Sequence, residues 1–181
     1  MKNQNTKKNW LMQRCFLALC LVLPMLTGQI PQIGSMLLPM HIPVLLCGLV
    51  CGWQYGAAVG FVAPLLRSVL FGMPPMYPVA IAMAFELLTY GLVIGLVYRR
   101  MAQKGAAGVY AALLTAMVAG RLVWGVAEVV LLGLGGKAFT AQTFLAGALL
   151  NAVPGIIVQL VLIPAVMAVL QKAGAVKEYA E

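Results

Sequence analysis

The sequence predicts an all-α integral membrane protein with six transmembrane helices and cytoplasmic N- and C-termini. Three observations predict it. The 181-residue chain is 63% hydrophobic and 9% charged, with a mean hydropathy of +0.99, whereas soluble domains carry about 25% charged residues. Apolar character continues from Trp10 to about residue 171. The basic residues behind the formal net charge of +8 fall into short clusters between apolar runs, with no basic stripe or motif for nucleic acid, so they read as topology signals. A cleaved secretory signal would precede a polar mature chain. Here the first apolar segment reads as retained.

Crossing about 30 Å of hydrocarbon takes roughly 20 helical residues, so the elements are cut where Gly, Pro and charge interrupt the apolar runs. The first runs from about 10 to 28, ending near Pro24 and Gly28. The second, 41 to 52, is short and opens with Pro43, where a missing N–H costs little. It reads as tilted, partly re-entrant or buried by its neighbours. The third, 54 to 72, ends at Gly72 before Pro74 and Pro75, and the fourth, 78 to 98, begins at Pro78 and stops at Arg99 and Arg100. The fifth and sixth span about 106 to 133 and 141 to 171. Without long linkers, low-complexity tracts or evident repeats, residues 1–181 read as a single membrane domain.

Positively charged loops stay in the cytoplasm. An inside N-terminus puts Lys2, Lys7, Lys8, Arg14, Arg99, Arg100, Lys104, Lys172 and Lys177 on the inner side and leaves only Lys137 in an outer loop. Glycines at 48, 52, 56 and 60 recur every four residues, and Gly91 and Gly95 repeat the spacing. Such small-xxx-small patterns let helices approach closely in lipid, either within the chain or against another subunit. Cys15, Cys20, Cys47 and Cys51 all lie in apolar segments and read as packing residues. No metal or redox motif accompanies them.

Ionisable residues inside apolar segments demand an explanation, because each costs several kcal/mol unless paired or hydrated. Here they are Arg67, Glu86, Arg121 and Glu128. With the topology above, all fall between the outer surface and the bilayer middle, describing a polar cavity that opens outward. Arg121, Trp124 and Glu128 fall at i, i+3 and i+7 on one helical stripe, Glu86 and Tyr90 share a face at i, i+4, and Asn151 and Gly155 do so on the last helix. Charged groups with aromatic walls suit a small, planar, polar molecule. Candidate binding residues are therefore Arg67, Glu86, Tyr90, Arg121, Trp124, Glu128, Asn151 and, at the mouth of the second segment, His41.

The competing structural reading pairs Arg67 with Glu86, or Arg121 with Glu128, as ion pairs that specify the fold. In that reading Trp124 and Tyr90 are packing aromatics and His41 is interfacial. Catalysis is poorly supported, because no HExxH, P-loop, GxSxG or two-metal acidic cluster is present. The chain reads as a non-enzyme with no cofactor and no metal. ATP-driven transport would need separate ATPase chains.

Residues 37 to 98 carry the most specific signal. The stretch "LLPMHIPVLLCGLVCGWQYGAAVGFVAPLLRSVLFGMPPMYPVAIAMAFELLTYGLV", with the short basic N-terminus and the proline-rich first outer loop, resembles the substrate-binding S components of energy-coupling factor (ECF) vitamin transporters. The resemblance covers nearly the whole chain. It implies a multi-pass subunit in the cell membrane of a prokaryote that captures a small water-soluble vitamin, or a vitamin or nucleobase precursor, in an outward-facing pocket. It also implies a transmembrane coupling protein and two cytoplasmic ATPase subunits as partners. One departure is visible: many members carry AxxxA in the first helix for docking, whereas here Ala18 is followed by Val22. An alternative from another class is an autonomous proton-coupled small-molecule transporter, with Glu86 and Glu128 as relay carboxylates. A third is a membrane scaffold whose buried charges only pair with one another.

Overall fold

The computed structural model describes residues 2–26, 39–101, 105–134 and 153–173, with the side chains of the first helix described from Trp10 to Met25. The described residues form six α-helices. These are α1 (Lys2–Leu26), α2 (His41–Cys51), α3 (Trp53–Phe71), α4 (Ile81–Met101), α5 (Ala106–Leu134) and α6 (Val153–Lys172), with a π-type turn at Met76–Ala80 leading into α4. Most expected boundaries lie within a few residues of these. The first helix begins earlier than the expected residue 10, because nothing between Lys2 and Trp10 breaks a helix once it has started. Expected helical residues 141–152 lie outside the described residues.

Length separates the helices. Trp53–Phe71, Met76–Met101, Ala106–Leu134 and Val153–Lys172 are long and apolar enough to cross a membrane. The apolar part of α1, Trp10–Met25, and α2 are shorter. The 11 residues of α2 reach only about 16 Å, and most of its side chains are buried, from His41 and Pro43 to Leu49 and Cys51. This agrees with an element enclosed by its neighbours. By contrast, α5 shows an exposed apolar stripe, Leu114, Val118, Leu122 and Val126, the face expected of a helix bathed in hydrocarbon rather than water.

Glycine sets the packing of the centre. Gly52, at φ 99°, joins α2 to α3, a conformation that side chains with a Cβ rarely adopt, and folds the two helices back on each other. A Cβ on Gly56 would stand 2.7 Å from the Cα of Gly48, and one on Gly91 would stand 2.2 Å from the Gly56 carbonyl carbon. Gly60 meets the Leu87 carbonyl oxygen at 2.2 Å on the same measure, and Gly95 meets the Trp53 backbone. The repeating glycines of α2, α3 and α4 therefore serve contacts within this chain, where backbone lies on backbone.

Cross-helix contacts fix which helix ends lie together. At one end, the thiol of Cys20 on α1 donates to the Met40 carbonyl that precedes α2, and Arg67 near the end of α3 reaches Leu21 of α1. At that same end Tyr77 donates to the Leu131 carbonyl of α5. At the other end, Gln171 Nε2 of α6 donates to Tyr98 Oη of α4 at 3.1 Å. Arg99, Arg100 and Lys172 are exposed there. The bundle thus has a basic end and an end where α2, α4 and α6 begin.

Candidate functional site

Glu86, one and a half turns into α4, is 2% exposed and sits at the centre of a polar cluster. Arg121 Nη1 on α5 donates to its Oε1 at 2.9 Å. Tyr90, one turn along α4, donates from its hydroxyl to the same oxygen at 3.2 Å. His41, the first residue of α2, places Nε2 3.6 Å from that oxygen and its ring edge-on to Tyr90, with centroids 5.2 Å apart. Elements α2, α4 and α5 thus converge on one carboxylate.

The local sequence explains the convergence. Gly120 immediately precedes Arg121, and a Cβ there would lie 2.6 Å from Tyr90 Cε1. The missing side chain lets α5 close onto the Tyr90 ring, which brings the next residue within reach of Glu86. The short α2 allows His41 to begin its helix at the depth of Glu86 rather than at the surface.

The observed pairing corrects both expected alternatives. Glu86 pairs with Arg121, not with Arg67, and Glu128 forms no ion pair among the described residues. The geometry that decides this is relative helix height and rotation, which residue counting along one helix does not supply. Arg67 is buried, but its Nη1 donates to the Leu21 carbonyl of α1 at 3.0 Å and its guanidinium stacks over Phe71 at 5.7 Å. That carbonyl adjoins the one that Pro24, lacking an N–H, leaves without its helical partner. The arginine in the apolar run therefore ties α3 to α1. Arg67→Met is expected to lower stability by about 1–3 kcal/mol while changing ligand affinity only a few-fold. Lost affinity at unchanged thermal stability would return Arg67 to the binding site.

Among the other expected site residues, Trp124 and Glu128 continue the Arg121 stripe along α5, with Trp124 partly buried and Glu128 buried. Glu128 lies seven residues along the helix from Arg121, about 10 Å in rise, and so stands away from the centre of the cluster. Asn151 lies outside the described residues.

Sequence reasoning passed over Gln159. This residue of α6 is 1% exposed, on the inward stripe Gly155, Gln159, Ile163 and Met167. Its signal was present in "VPGIIVQLVLIP", where a lone amide interrupts an apolar run and has to be satisfied in the interior. Several polar atoms remain buried without a hydrogen-bond partner among the described residues: both His41 ring nitrogens, Arg121 Nε and Nη2, and Gln159 Nε2. A fully satisfied structural ion pair would leave none. No group of three or more His, Cys, Asp or Glu assembles among the described residues in a way that could hold a metal ion.

Six packed helices, four of them long and apolar enough to cross a membrane, surround a buried, incompletely satisfied polar cluster. The family model for the ECF transporter, substrate-specific component, matches residues 15–167. The chain belongs to this family: it is a multi-pass membrane protein and a substrate-specific transport subunit. No curated protein and no solved structure gives a significant match.

Proposed function

We propose that this chain captures a small water-soluble vitamin, or a vitamin or nucleobase precursor, from outside the cell, with His41, Glu86, Tyr90 and Arg121 forming the floor of the site. The observation that carries the reading is the set of buried nitrogens on His41 and Arg121, the residues beside the Glu86 carboxylate, left without partners among the described residues. In an apolar interior each such atom costs on the order of 1–3 kcal/mol, and a ligand that bonds to them removes that cost.

Charge supports the orientation. Arg99, Arg100 and Lys172 gather at the end opposite His41, and basic residues favour the cytoplasmic face. The site then opens outward, with both termini inside, and residues 1–181 act as one membrane domain in a prokaryotic cell membrane. The sequence carries no nucleotide-binding P-loop, so energy comes from partners: a transmembrane coupling protein and two cytoplasmic ATPase subunits.

Cells or vesicles holding the chain alone should bind labelled substrate saturably without accumulating it. Accumulation should appear when coupling protein and ATPases are added. Accumulation without them that collapses with a proton uncoupler would contradict this reading and make the chain an autonomous carrier.

A further inference from the structure

The buried polar atoms left without partners among the described residues are mostly donors. Arg121 spends Nη1 on Glu86, and its opposite edge, Nε and Nη2, is buried without a partner among the described residues. That edge presents two parallel N–H groups, the fork that takes a carboxylate through two bonds at once. His41, whose Nε2 lies 3.6 Å from Glu86, adds one ring N–H in its neutral form, and on α6 Gln159 Nε2 is a further buried donor without a partner among the described residues. Apart from the bare ring nitrogen of a neutral His41, these unpartnered atoms are donors that lack acceptors. A ligand that completes the site must bring them.

We propose that the captured molecule carries a carboxylate that docks on the Nε/Nη2 edge of Arg121, with the ring of His41 as a further donor to its polar part. The proposal rests on the capture reading and names the ligand class of that same site. A carboxylate fits better than a phosphate because Glu86 already places one negative charge beside the guanidinium. A doubly charged group would add two more, whereas a single carboxylate adds only one to the pair that Glu86 and Arg121 already form.

The test compares acid and neutral forms of otherwise identical probes on the detergent-purified chain. The pairs are pantothenate with panthenol, nicotinate with nicotinamide, biotin with biotinamide, and acetate with acetamide as a minimal fragment, read by thermal stabilisation over a concentration series at fixed ionic strength. The expected result is that one acid binds about 10- to 100-fold more tightly than its neutral partner, the range of a charge-assisted bond. Acetate should also stabilise where acetamide does not, and Arg121→Lys, which keeps the charge but removes the fork, should narrow the gap. Equal binding of an acid and its neutral partner, or a ligand with no carboxylate, would overturn the carboxylate assignment and leave capture standing. Stabilisation by acetate alone would support the anion-binding edge and count against vitamin capture. No effect of any compound, acid or neutral, acetate included, would overturn both. The wild-type pairs decide the matter even if Arg121→Lys does not fold.

Discussion

Gly91→Leu is expected to leave no folded protein, and Gly91→Ala to lower stability by about 3 kcal/mol, the upper range for overpacking a close contact. A Cβ at this position meets the Gly56 carbonyl at 2.2 Å and the Ala57 nitrogen at 2.6 Å. These are backbone atoms, which no rotamer change can move aside. Helices α3 and α4 would have to separate, and Gly48, which approaches the Gly91 carbonyl from α2, would lose its seat as well. Gly133 on α5 provides the control, because none of the described residues lies within 4 Å of a Cβ there. Gly133→Ala should be neutral or slightly stabilising. The check is monodispersity and melting temperature of each variant in one detergent. A folded Gly91→Leu protein with wild-type melting would mean that the α3–α4 contact is not the one described.

Breaking the Glu86–Arg121 pair from either side should have the next largest effect. Glu86→Met leaves a guanidinium buried without its anion, and Arg121→Met leaves a carboxylate with the Tyr90 hydroxyl as its hydrogen-bond donor among the described residues. Removing one partner of a buried pair typically costs about 3–5 kcal/mol, whereas replacing both by apolar residues of similar volume is often close to neutral. The double variant Glu86→Met with Arg121→Met should therefore recover most of the stability lost by either single change. Denaturation of the four proteins under one set of conditions gives the coupling energy. Purely additive losses would show that the two groups do not depend on each other.

Much of the architecture was legible from local chemistry. Gly52, Gly72 and Gly105 mark helix junctions, and all three adopt positive φ. The shortness of α2 was readable between Pro43 and Gly52, whereas its burial was one of three readings that its length left open. Burial of Arg67, Glu86 and Glu128 was readable as charge within apolar runs. Their pairing was not. Whether Arg121 faces Glu86 or Glu128 depends on how α4 and α5 are rotated and how high they stand relative to each other, and that is set by a ring–backbone contact between Tyr90 and Gly120. Arg67 illustrates the same limit. Its partner is a main-chain carbonyl near Pro24, a group that every residue carries and that no side-chain pattern announces. Gln159 was visible as an isolated amide, yet only its depth and its bare Nε2 distinguish it from a residue that snorkels to water.

The Glu86–Arg121 double variant also separates a ligand site from a fold-specifying ion pair, because its stability is expected to recover while the chemistry of the site is gone. The most direct measurement is equilibrium binding of labelled vitamins and precursors by the purified chain alone, beside that folded double variant. Saturable binding of one compound by the wild-type chain, weakened at least about 100-fold in the double variant, is the predicted result. Equal binding by both proteins would place the ligand elsewhere, and no saturable binding of any compound by the wild-type chain would leave the buried pair as a structural device.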